Sequence, residues 1–120
     1  MSRGLAAAFA VASVLALRAP PAAAHAFLDH AEPRVGSTVE APPALTLVFT
    51  EPIEAAFSHV TLTGPHGERI ALPAPETPAP ERLVVRLPAL APGEYTVAWG
   101  VVSVDTHATE GRFTFSVKAR

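Results

Sequence analysis

Hydrophobic and polar positions along this chain alternate with a period of two in several short runs. Leu45, Leu47 and Phe49 alternate with Thr46, Val48 and Thr50, which predicts a strand with one buried face. The longest run covers 94–102 and places Tyr95, Val97, Trp99 and Val101 on one side. A closing run over 112–118 groups Phe113, Phe115 and Val117. Shorter candidate strands fall at 26–31, 59–63, 69–72 and 83–87. Between them stand strong breakers: the turn 32–37, Ala41-Pro42-Pro43, Glu51-Pro52 and Gly64-Pro65-His66-Gly67. Residues 73–80 (PAPETPAP) read as a proline-rich surface loop. The pattern predicts an all-β domain of about seven strands, a Greek-key barrel or an immunoglobulin-like sandwich. Tyr95 follows the Pro92-Gly93 turn, so it is either a tyrosine corner or an ordinary core tyrosine.

The first residues follow a different pattern. Arg3 precedes an apolar run from Gly4 to Leu17; Arg18 and Pro20-Pro21 end it, and Ala22-Ala23-Ala24 supplies small residues. This is the layout of a secretory signal, and the apolar run is short of the ~20 residues of a spanning helix. The expectation is a signal peptide at 1–24, cleavage between Ala24 and His25, and one exported domain at 25–120 that does not span a membrane. The chain holds 13 prolines in 120 residues, which argues against a helical protein. It has no cysteine, and its single methionine, Met1, leaves with the signal. Disulfides and sulfur metal ligands are thereby excluded from the mature domain. With 9 basic and 11 acidic side chains, and no basic stripe, nucleic acid is not an expected partner.

Cleavage at that point creates new chemistry. His25 would gain a free α-amino group, and that amine and its own Nδ1 could chelate one metal ion in a six-membered ring. There are four other histidines, His30, His59, His66 and His107, each read alone as a solvated loop residue. His107 stands out because Asp105 precedes it by two; in extended backbone both side chains point the same way and can face one centre. The non-metal alternative is an aspartate that merely orients a histidine. Nitrogen and oxygen donors together favour Cu(II) over other divalent ions, with zinc as competitor. Binding would need a neutral amine, whose ordinary pKa is about 7.7–8.0, so affinity should fall with pH.

An ordered set of motifs spans nearly all of 25–120: His25-Ala26-Phe27-Leu28, Ala31-x-Pro33-x-x-Gly36, Leu47-x-Phe49-Thr50-Glu51-Pro52, Pro92-Gly93-x-Tyr95-x-Val97-x-Trp99, Ser103-x-Asp105-x-His107 and Gly111-x-Phe113-x-Phe115-x-Val117. The set resembles the CopC family of periplasmic copper-resistance proteins. That resemblance implies a cupredoxin-like Greek-key fold and one Cu(II) ion held in an N-terminal histidine brace. By position, His25, Asp105 and His107 match the Cu(II) ligands, and Glu51 matches a nearby glutamate, an outer or alternate ligand. It also implies a monomeric periplasmic copper-binding protein rather than an enzyme, with a CopD-type inner-membrane copper importer as partner. Some members add a methionine-rich Cu(I) loop. Residues 61–73 here contain no methionine, which points to a Cu(II)-only protein and leaves His66 as an exposed turn residue. Two alternatives remain: a histidine-brace copper oxygenase, such as a lytic polysaccharide monooxygenase, and a metal-free exported sandwich used for protein contacts. Copper binding to the folded state would raise stability, which the last reading does not allow.

Overall fold

A computed structural model describes residues 26–120; the expected signal peptide and His25 lie outside the described residues. The chain forms nine strands among the described residues: β1 Leu28–Glu32, β2 Thr38–Val39, β3 Ala44–Phe49, β4 His59–Thr63, β5 Arg69–Ile70, β6 Glu76–Ala79, β7 Arg82–Arg86, β8 Gly93–Val102 and β9 Ala108–Val117. They make two sheets, in the orders β1-β3-β7-β6 and β2-β9-β8-β4-β5. The sheets face each other as a sandwich and do not close into a barrel. Every named pair is antiparallel except β2 with β9, which run parallel.

Period-two alternation builds the core. Leu45, Leu47 and Phe49 of β3 and Leu83 and Val85 of β7 point inward from the smaller sheet. Leu62 of β4, Tyr95, Val97, Trp99 and Val101 of β8, and Phe113, Phe115 and Val117 of β9 meet them from the larger one. Each such side chain contributes roughly 1.5–3 kcal/mol by leaving water. Phe49 and Trp99 bridge the two layers edge to face, with centroids 5.2 Å apart. Tyr95 lies in the core stacked on Phe115, and its hydroxyl donates to the Ala91 carbonyl at 2.6 Å. It is therefore a core tyrosine and a tyrosine corner at once. Burial above all, and then the charge of Glu68, holds its hydroxyl pKa above the ordinary value, against the Ala91 bond.

Several elements differ from the sequence expectations. The proline-rich stretch is not wholly loop: β6 lies within it and pairs with β7 through Glu76↔Val84 and Ala79↔Arg82, with an irregularity between. Pro78 is tolerated because β6 is an edge strand, where one missing N–H costs no second ladder. The first strand begins at Leu28 rather than at residue 26, and the return strand is only Arg69–Ile70. β9 begins four residues earlier than the alternation at 112–118 suggests, because residues 108–111 are held by pairing with β8 rather than by apolar side chains. Gly111 there is required by space. A Cβ at that position would sit 2.5 Å from Cζ2 of Trp99, so the indole lies directly over the glycine.

Candidate metal centre

Three chain segments meet at the end of the sandwich where β8 turns into β9. The first is the start of the described chain. Ala26 is fully buried; its carbonyl accepts a hydrogen bond from Thr109 Oγ1 at 2.5 Å. Phe27 and Thr50 exchange two bonds: Thr50 N–H donates to the Phe27 carbonyl at 2.8 Å, and Phe27 N–H donates to Thr50 Oγ1 at 2.9 Å. The second segment follows β3. Pro52 accepts from Val104 N–H at 3.2 Å, Glu54 N–H donates to the Val102 carbonyl at 2.7 Å, and Ile53 bridges Ser103. The third is the β8–β9 connection, residues 103–107.

Within that connection the expected pair is assembled. His107 Nδ1 lies 3.3 Å from Asp105 Oδ2, with both side chains reaching solvent, 52% and 36% exposed. The backbone reason differs from the expectation. Asp105 and His107 sit in a tight turn, not in extended chain, and Thr106 between them has φ +74°. A β-branched residue in the left-handed region is uncommon and costs on the order of 1–3 kcal/mol. That conformation, closed by Thr106 N–H to the Ser103 carbonyl at 2.8 Å, returns the chain so that carboxylate and imidazole meet.

Ser103 holds the turn from beneath. It is 1% exposed. Its hydroxyl lies within hydrogen-bond distance of Asp105 Oδ1 and accepts from His107 N–H at 3.3 Å, while its own N–H donates to the His107 carbonyl at 2.9 Å. The Ser103 hydroxyl above all holds the Asp105 carboxyl below the usual carboxylate range; desolvation opposes it, and His107 adds to the lowering. Asp105 thus keeps its negative charge to lower pH than an ordinary carboxylate. Sequence reading passed over Ser103 as a working part; its signal was the S-x-D-x-H spacing, which puts a hydroxyl two residues before the carboxylate.

Glu51 is exposed and sits between Thr50, tied to Phe27, and Pro52, tied to Val104. It belongs to the same end of the molecule. Among the described residues, however, no three His, Asp or Glu side chains stand close enough together to hold an ion. Asp105 and His107 are brought together; Glu51 is not the third member of their group. His30 pairs instead with Asp29 at 2.6 Å on exposed β1. His66 is exposed in its turn, its N–H bonded to Glu68 at 2.8 Å. Trp99 is a core residue, as its strand pattern indicates. A recess of about 420 Å³ lies elsewhere, lined by Glu40, Leu90, Pro92 and Val117 at the far end of β9. The Asp105 and His107 side chains at the turn are donors that reach solvent.

Comparison with known proteins gives consistent matches. A family model described as the CopC domain matches residues 28–118. Protein YobA of Escherichia coli K12 is 48% identical over 103 residues, covering 82% of this chain and 83% of its own length. Copper resistance protein C of Escherichia coli is 34% identical over 106 residues, covering 81% and 84%. Among solved structures, CopC from Methylosinus trichosporium OB3b superposes with a TM-score of 0.72 at 31% identity, over 78% of this chain and 94% of that one. PcoC, a methionine-rich copper resistance protein from Escherichia coli, gives 0.71 at 33%, over 78% and 99%.

Proposed function

The chain belongs to the CopC family, and from that premise we propose that it is a periplasmic carrier of one Cu(II) ion, held by a histidine brace completed at its processed N-terminus. The observation that carries this reading is the bond from Thr109 to the Ala26 carbonyl. It fastens the residue next to His25 onto the strand that begins immediately after His107. A peptide link spans only about 3.8 Å between Cα atoms, so protein processed to begin at His25 would bring its amine toward the Asp105–His107 turn. The α-amine and Nδ1 of His25 would add two nitrogens to the imidazole of His107 and the carboxylate of Asp105. That is a donor set suited to Cu(II), with Glu51 as an outer or alternate oxygen.

The named relatives support a role in copper handling rather than a reaction, two of them being called copper resistance protein C. Buffering, resistance and delivery to a CopD-type importer are the roles this donor set serves. No described helix is long and apolar enough to cross a membrane. A protein with no methionine at 61–73 has no thioether cluster there for Cu(I), so it carries the Cu(II) state alone. Trp99, packed under Phe49, offers no exposed aromatic platform for a glycan.

The test is a Cu(II) titration of protein beginning at His25, followed by electron paramagnetic resonance. His107→Ala and Asp105→Ala should each weaken binding, His107→Ala more, with loss of one nitrogen from the spectrum. Saturating copper should raise the melting temperature of the wild type, by RT ln(1 + [L]/Kd) in free energy. Unchanged binding in both variants, or no thermal shift, would defeat the reading.

A further inference from the structure

The outer face of the larger sheet carries a second pair of metal-type donors, and the strand register explains how they meet. His59 opens β4 and pairs with Gly100 of β8; Gly100 in turn pairs with Glu110 of β9. Residues directly opposite in an antiparallel ladder share a face, so the three form one row across the sheet. His59 and Glu110 are exposed, and their backbones stand two strand spacings apart, roughly 9.5 Å.

The central glycine makes the row more than a coincidence of register. A Cβ on Gly100 would lie 2.3 Å from Cε1 and 2.7 Å from Nε2 of His59. The imidazole therefore lies over the middle strand, in space that any other residue would fill. From there the ring has crossed about half the gap, and Glu110 faces it from β9. Both residues line two adjoining surface recesses. The first, about 300 Å³, is bordered by Phe57 and Val102; the second, about 270 Å³, by Ala98 and Arg112. Among the described residues, neither His59 nor Glu110 forms an ion pair with the other or with Arg112. An ion can thus enter between them without first breaking a salt bridge.

We propose that His59 and Glu110 form a second, separate site for a borderline divalent cation, Cu(II) or Zn(II), with the two side chains closing over Gly100 and water filling the remaining positions. One imidazole nitrogen and one carboxylate oxygen are ordinary donors for both ions, and Cu(II) is favoured between them. With two protein donors the site is weaker and faster to exchange than a brace. Glu110 lies three strand residues beyond His107, roughly 10 Å away. The protein would hold one tight ion at its end and one loose ion on the adjoining face. This inference does not depend on the brace.

The experiment is calorimetric titration of protein beginning at His25 with Cu(II), and separately with Zn(II), together with His59→Ala and Glu110→Gln. Both substitutions are on the exposed face and leave the core intact. The wild type should bind a second equivalent; His59→Ala should abolish it, and Glu110→Gln should weaken it at least tenfold. The first equivalent should change less than twofold in either variant. With two Cu(II) bound, paramagnetic resonance should show dipolar broadening that His59→Ala removes. A single equivalent in the wild type overturns the proposal. So does a second equivalent that survives both substitutions, which would assign it to Asp29–His30 or His66. Loss of the first equivalent alone in His107→Ala leaves this site standing, so the two readings fail separately.

Discussion

Replacing Thr109 by valine removes one hydroxyl and nearly nothing else. That hydroxyl donates at 2.5 Å to the carbonyl of Ala26, a fully buried residue 83 positions away in sequence. Leaving a buried carbonyl without its donor costs about 1–3 kcal/mol. In protein processed to begin at His25 the first residues would be a chain end and could avoid that cost by peeling away, because local opening does not require global unfolding. A peeled terminus must be re-docked before its nitrogens can hold copper, so the apparent Kd rises by the inverse of the docked fraction. At about 1.4 kcal/mol per factor of ten, Thr109→Val should weaken Cu(II) binding by roughly 5- to 100-fold. The metal-free melting temperature should move little. Thr109→Ser keeps the donor and should bind within a few-fold of wild type. The assay is competition against a chelator of known affinity, at one pH and one salt concentration. Wild-type affinity in Thr109→Val, or equal losses in the valine and serine variants, would refute the reasoning.

Other expectations follow from the same geometry. Tyr95→Phe keeps the stack on Phe115 and loses only the bond to Ala91, whose exposed position lets water replace the donor; it should cost about 1 kcal/mol, against about 3–5 for Tyr95→Ala, by denaturant unfolding. Gly111→Ala puts a methyl 2.5 Å from the Trp99 ring, so it should cost about 1–3 kcal/mol and shift Trp99 emission. Ser103→Ala removes the largest influence holding Asp105 low, and nuclear magnetic resonance titration should show its pKa rising. Because that carboxyl is held below its ordinary value, acidification should release copper first through proton competition for the α-amine, whose ordinary value is about 7.7–8.0. Affinity measured from pH 8 down to pH 5 should therefore fall well before Asp105 titrates.

The alternation of Leu45, Leu47 and Phe49, and of Tyr95 through Val101, was enough to read an all-β fold, because side chains on a strand alternate faces whatever the tertiary context; it left barrel and sandwich both open. β6 escaped that reading, since Pro75, Pro78 and Pro80 argue against a strand and only an edge position excuses Pro78. The first residues of β9 escaped it because Ala108, Thr109, Glu110 and Gly111 carry no apolar alternation; cross-strand pairing alone holds them. The Asp105–His107 pair was legible from spacing, yet for a different backbone reason, since nothing in the sequence announces a left-handed Thr106. The Thr109–Ala26 bond and the His59–Gly100–Glu110 row join residues far apart in the chain. Strand register brings the row together and the docking of the first residues onto β9 makes the bond, and neither is written in any local pattern.

The brace stands or falls on one comparison: Cu(II) binding by protein that begins at His25 against protein with a single extra residue before it. The extra residue turns the His25 nitrogen into an amide and leaves Asp105, His107 and Glu51 untouched. The account predicts tight binding with a nitrogen-rich resonance spectrum in the first, and far weaker binding with fewer nitrogens in the second. Equal affinity and identical spectra would contradict it, and would leave Asp105 and His107 as a site that owes nothing to the N-terminus.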